Sequence, residues 1–211
     1  TSGATCFKDF SNGLSSRWAQ ALFHRFFHTT CHPAGNMTYF EFYGLPQTLN
    51  LDEGQLRRLF YQKSKEHHPD VHTLANEDVQ AQNLDLASFN NDAYRTLSNP
   101  TLRLKYVLQL HGLLGDEKQL TKLPADFLME MMELNETMAD LEFEPNPEKL
   151  NKLNRDVDEL EQSLDNQINT LLLQWSIETN QPGDLEKLQD YFLKKRYLLR
   201  IRENLSKFAS L

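Results

Sequence analysis

Leu150, Leu153, Val157, Leu160, Leu164, Ile168, Leu171 and Trp175 recur at spacings of three and four residues. A strand cannot use that period, because its side chains alternate every two residues. A helix with such a stripe buries it against other helices, in the manner of a coiled coil. The spacing therefore predicts one long helix over about 147–177. A preceding segment, 125–142, is helical up to the break at Pro145 and Pro147. A last helix runs from 184 to about 210, after a turn at 180–183. Three long helices with short connections make an antiparallel bundle over 125–211.

The first half is also helical in pattern, with shorter pieces. A short apolar turn at 39–44 is stopped by Gly44 and Pro46. Asp52 can cap a helix from 53 to about 67, which places Leu56, Leu59 and Phe60 at i, i+3 and i+4. Pro69 ends it, because the residue before a proline is biased away from helical geometry. A polar loop from 71 to about 77 leads to a helix over about 78–98, with Leu86, Phe89, Ala93 and Leu97 on one face. Asn99-Pro100 closes that helix and opens a short one, 101–111, which stops at Gly112. Residues 116–124 read as a linker. No strand pattern appears, so the expected fold class is all-α.

Charge narrows the partners. The 211 residues carry a net charge of −8. Residues 116–211 hold 12 basic and 20 acidic side chains. Phosphates would repel that half, which argues against nucleic acid as a partner. No apolar run reaches the roughly 18 residues a membrane helix needs. The two cysteines, Cys6 and Cys31, are too few for a disulfide framework or a four-thiolate zinc site. Residues 1–37 are rich in Ser and Thr and nearly free of acid, with Arg17, Arg25, Phe23, Phe26 and Phe27. That composition predicts a transit-like segment and hence the mitochondrial matrix; a disordered tail is the alternative.

The break at His68-Pro69-Asp70 carries chemistry. Pro69 fixes its own backbone dihedral between two antiparallel helices. Asp70 is then a presented anion and His68 a presented donor. Arg57, Arg58, Lys63 and Lys65 make the preceding helix basic. Such a surface can dock an acidic patch and an arginine of a partner. With Ala93-Tyr94-Arg95-Thr96-Leu97 and Arg103-Leu104-Lys105-Tyr106 following, residues 38–112 resemble a J domain. The resemblance implies a DnaK-type ATP-dependent chaperone as partner. His68, Pro69 and Asp70 would trigger its ATPase, and the helix cations would steer it. The chain departs from many J domains in having Lys63 for leucine, His67 for an aromatic and Val71 for lysine.

His67, His68 and His72 also invite an acid–base or metal reading, which would make the chain a hydrolase. No serine, cysteine or glycine-rich loop completes a catalytic set there, and no fourth metal donor is at hand. The chain is expected not to be an enzyme and to need no cofactor. His24, His28, Cys31 and His32 have helical spacing that could bind zinc; an accidental cluster is the plainer reading.

The 125–142 helix has two apolar faces. Advancing about 100° per residue, Phe127, Met131, Leu134, Met138 and Leu141 fall on one seam. Leu128, Met129, Met132, Glu133 and Glu136 fall on the opposite side. Exposed apolar groups beside carboxylates mark a binding patch; a helix buried on both faces, or stray methionines, is the alternative. Tyr39-Phe40, Gly44-Leu45-Pro46, Leu110-His111-Gly112, Phe127-Leu128-Met129-Glu130 and Met132-Glu133-Leu134 resemble HscB-type co-chaperones of iron–sulfur cluster biogenesis. That resemblance spans 38–211. It implies that Leu128, Met129, Met132, Glu133, Glu136 and Tyr197 bind the cluster scaffold protein (IscU type), although Tyr197 shares a stripe with Ile201, Leu205 and Phe208 that periodicity alone would let be core. Met132 stands where leucine is common. The implied mechanism is bivalent: the bundle holds the scaffold while the J domain engages the chaperone. The alternative is a general J protein that delivers unfolded clients.

Overall fold

The computed structural model describes residues 37–71, 76–114 and 123–208. Seven α-helices account for most of these: α1 (Tyr39–Tyr43), α2 (Glu53–Glu66), α3 (Glu77–Ser98), α4 (Pro100–Leu110), α5 (Ala125–Phe143), α6 (Pro147–Gln174) and α7 (Asp184–Phe208). A single 3-10 turn, Pro69–Val71, lies between α2 and α3. The described residues form no strand beyond one isolated antiparallel bridge, Thr48 to Ser176. None of their helices is long and apolar enough to cross a membrane. The fold is the expected all-α one, an N-terminal J domain followed by a three-helix bundle.

Side-chain caps set the helix starts. Thr38 and Glu41 form a reciprocal capping box on α1. Asp52 accepts from the backbone N–H of Gly54 and Gln55 at the start of α2. Asn99 and Asn146 do the same for α4 and α6, each followed by a proline at the first helical position. Gly44 ends α1 with a φ of 62°, a left-handed conformation that glycine adopts at no steric cost.

Two cores share the α6–α7 hairpin. The first joins α1–α4 through Phe40, Phe42, Leu56, Phe89, Leu97 and Val107. A buried amide sits inside it. Tyr43 Oη donates to Asn90 Oδ1 at 2.8 Å, and Asn90 Nδ2 donates to Phe60 O and Ser64 Oγ. The amide thereby ties α1, α2 and α3 together. The second core holds the α5 seam, Phe127, Met131, Leu134, Met138 and Leu141, against Leu153, Val157, Leu198 and Ile201.

The stripe on α6 divides between these cores. Leu153 and Val157 face the bundle, whereas Ile168 and Trp175 belong to the first core, with Leu188 and Phe192 of α7. The expected continuation of α6 to 177 stops at Gln174. The backbone turns out at Trp175, whose carbonyl accepts from Thr48 Oγ1 at 2.9 Å and Leu49 N–H at 3.3 Å. Ile177 N–H donates to Gln47 O, and Gln189 Nε2 donates to Leu113 O. The hairpin end is thus bonded to the J domain, not only to its own bundle. Periodicity alone cannot show which core an apolar stripe enters.

Candidate functional site

Two surfaces are built from different devices. The first is the turn after α2. His67, the C-cap of α2, is buried; its ring lies 6.4 Å from that of Phe42 and its Nδ1 3.0 Å from Asn83 Oδ1. It fills the aromatic position from which it departs in identity. The chain then surfaces. The side chains of His68 and Asp70 are 56% and 87% exposed. Asp70 N–H donates to His68 Nδ1 at 3.2 Å, which leaves Nε2 as the ring's proton-bearing nitrogen. Pro69 begins the 3-10 turn that holds the two. The arrangement presents a hydrogen-bond donor and a carboxylate together.

The α2 cations divide. Arg57, Arg58 and Lys65 are exposed and form no ion pair among the described residues. The Arg57 guanidinium lies beside the Tyr94 hydroxyl, which raises its already high pKa. Lys63 is held inward: its Nζ is 3.1 Å from Glu66 Oε2 and 5.4 Å from the centre of the Phe42 ring. Its stem covers apolar surface, as a leucine would at that place. Tyr61, 59% exposed on the same helix as these cations, is a surface group that the sequence reading leaves out. Its i+4 offset from Arg57 was the available signal.

The second surface is the outer face of α5. Leu128, Met129 and Met132 are 37%, 66% and 63% exposed, and Glu133 and Glu136 are exposed beside them. Tyr197 borders this face without belonging to the free surface. Its ring meets Phe127 edge-on at 6.1 Å, and its hydroxyl accepts from Asn135 Nδ2 at 3.3 Å. Half-buried against the second core, it is packing and rim at once.

The remaining histidine readings find little geometry. His72 and the set His24, His28, Cys31 and His32 lie outside the described residues. Among the described residues, no three His, Cys, Asp or Glu side chains are grouped to hold a metal ion. His67 is occupied by Phe42 and Asn83.

An exposed His-Pro-Asp turn on a J-domain hairpin, joined to a helical bundle, defines the class of J-type co-chaperones. Comparison with known proteins takes the assignment further. A family described as "HSCB C-terminal oligomerisation domain" matches residues 123–206. The co-chaperone protein HscB homolog of Aeromonas hydrophila is 31% identical over 172 residues, 82% of this chain and 96% of that protein. The structure of the chaperone HscB from Vibrio cholerae matches with a TM-score of 0.57 and 27% identity, over 82% of this chain and 98% of that one. The human co-chaperone HscB matches with a TM-score of 0.62 and 22% identity, over 96% and 95%, a likeness of fold. The chain belongs to the HscB co-chaperone family. Other curated relatives align over 114 residues, which spans 66% of their length.

One expectation is overturned. The transit-like composition of residues 1–37 pointed to the mitochondrial matrix, but the curated relatives are proteins of Proteus, Aliivibrio and Aeromonas, bacteria without that organelle. An acid-poor, Ser- and Arg-containing stretch is a compositional signal only, and it does not separate an organelle address from other N-terminal segments.

Proposed function

We propose that this chain brings an iron–sulfur cluster scaffold protein of the IscU type to a DnaK-type chaperone and stimulates the chaperone's ATPase, so promoting cluster transfer. One observation carries the reading. Leu128, Met129 and Met132 stand outward beside carboxylates on a helix whose opposite seam is buried. Packing already satisfies α5 through Phe127 and Met131, so these three side chains serve no core. Exposed apolar groups with a polar rim are the anatomy of a partner surface. Glu133 and Glu136 select a partner with basic groups around an apolar centre.

The J domain supplies the other half. His68 Nε2–H and the Asp70 carboxylate offer a donor and an acceptor to the chaperone, while Arg57, Arg58 and Lys65 draw in an acidic surface. Holding the scaffold on α5 raises its local concentration at the chaperone bound by the turn. Hydrolysis belongs to the chaperone.

The test is a titration of purified IscU-type scaffold into the chain, paired with an ATPase assay on a DnaK-type chaperone. Saturable scaffold binding and a further rise in ATPase rate when scaffold and chain are both present are expected. Equal binding to unfolded polypeptides, with none to the folded scaffold, would instead identify a general delivery protein.

A further inference from the structure

The outer face of α5 does not stop at Met132. We infer that Phe143, at the far end of the helix, is a second apolar anchor for the same scaffold protein, an inference that rests on the reading above. Phe143 is 89% exposed, the most exposed large apolar side chain among the described residues. An exposed lone leucine needs no explanation, but a nearly bare phenylalanine on a surface helix is informative. With Phe127 set at zero and about 100° per residue, Phe143 falls at about 160°, in the middle of the face that holds Leu128, Met129 and Met132. It lies three turns beyond Met132, about 16 Å along the axis. Extending the helix by one residue, from 142 to 143, is what puts it on this face.

Two further features commit the extension to the same occupant. The carboxylates run on: Glu133, Glu136 and Asp140 line the face between Met132 and Phe143, Glu144 follows, and α5 contains no lysine or arginine. A partner held at Met132 by apolar contact and basic groups meets the same chemistry one, two and three turns later. A cleft toward α7, with Lys207 among its lining residues, borders this face at Ala139. It has a volume of about 730 Å³ and is lined by Asn135, Met138, Ala139, Leu150 and Phe208 among others. Asn135, on its rim, is bonded to Tyr197, and Ala139 lies one turn before Phe143. The surface offered to the scaffold is therefore a strip about 22 Å long, from Leu128 to Phe143, with an apolar anchor at each end and acids between.

The experiment titrates purified IscU-type scaffold into the full chain and into its Phe143→Ala, Phe143→Leu, Met132→Ala and Phe143→Ala/Met132→Ala variants, with thermal unfolding of each. Phe143→Ala should weaken binding about tenfold, as truncation of an interface anchor does, and Phe143→Leu should restore most of it. The unfolding temperature should stay unchanged, because the side chain touches little of the protein. Normal affinity for Phe143→Ala beside weakened Met132→Ala overturns the second anchor and leaves the scaffold reading standing. Normal affinity for Met132→Ala, Phe143→Ala and the double variant overturns both. Self-association that is lost in Phe143→Ala on sedimentation, with scaffold affinity unchanged, would assign the residue to a second copy of the chain and overturn the inference.

Discussion

His67 Nδ1 lies 3.0 Å from Asn83 Oδ1, a bond that ties the end of α2 to the second turn of α3 directly behind the His-Pro-Asp turn. Asn83 Nδ2 donates to Val79 O, which can only accept, so the amide oxygen faces the ring and the ring nitrogen donates. Asn83→Ala would leave that donor without its partner next to the buried ring. The expected cost is about 1–3 kcal/mol, read as a lower urea midpoint with an unchanged slope. Asn83→Asp keeps an acceptor and should cost less. Equal midpoints for wild type and Asn83→Ala would show that the ring is held by Phe42 alone.

His68→Gln should leave the unfolding midpoint within about 0.5 kcal/mol of wild type, since the side chain is mostly exposed. It should abolish stimulation of a DnaK-type chaperone and leave scaffold affinity intact. An ATPase assay beside a scaffold titration checks both. A variant that still stimulates normally would remove the turn from the proposed function.

Charge reversal of Arg57, Arg58 and Lys65 together should slow association with the chaperone, most at low ionic strength, where exposed charges act over longer distances. Lys63→Glu should behave differently. It removes the contacts with Glu66 and the Phe42 ring and sets two carboxylates one turn apart, so it should lower the unfolding midpoint. Stopped-flow association at two salt concentrations, with thermal melts, separates the two kinds of cation. A triple reversal that associates at the wild-type rate at low ionic strength would exclude steering.

On α5, Leu128→Ala, Met129→Ala and Met132→Ala should each change stability by no more than about 0.5 kcal/mol, because the seam residues and not these fill the core. Changed together they should weaken scaffold binding at least about tenfold. Tyr197 needs two variants. Tyr197→Phe keeps the edge contact with Phe127 and loses only the bond from Asn135, so it should fold normally. Tyr197→Ala removes half-buried packing and should cost about 1–2 kcal/mol. Early unfolding of the first three variants would show that this face is core.

These surfaces differ in how far the chain spells them out. The α5 seam is readable because Phe127, Met131, Leu134, Met138 and Leu141 repeat on one side of a helix, and their opposites are then exposed by exclusion. The J-domain hairpin is readable because Asp52, Pro69, Asn99 and Pro100 are local punctuation, each acting within a few residues. What a repeat cannot carry is the identity of its partner. Trp175 continues the α6 stripe in sequence, yet it belongs to the core of Phe42 and Leu97, and its ring meets His111 edge-on across a separation of more than 60 residues. Lys63 reads as a free cation until the Phe42 ring and Glu66 are seen beside it. Phe143 is missed by closing a helix one residue early, and one residue decides which face a side chain joins.

The junction between the two cores should carry a pH dependence through His111. Its ring sits 6.1 Å from that of Trp175, nearly perpendicular, and its Nε2 lies 3.3 Å from Gln47 Nε2, which donates to an unprotonated ring nitrogen. Burial lowers its pKa below the ordinary 6.5, because the charged form is poorly solvated there. The unfolded chain therefore takes up this proton at a higher pH than the folded chain does. Stability from this residue is full above the unfolded value and falls as pH drops through 6.5 toward the lower folded value. Urea midpoints measured at about pH 7.5 and about pH 5 should fall for the wild type. His111→Gln has no proton to gain, so its midpoint should fall less over the same interval, even if it starts lower through imperfect packing against Trp175. Equal declines for the two proteins would mean that the acid sensitivity arises elsewhere and that the junction tolerates a charged ring.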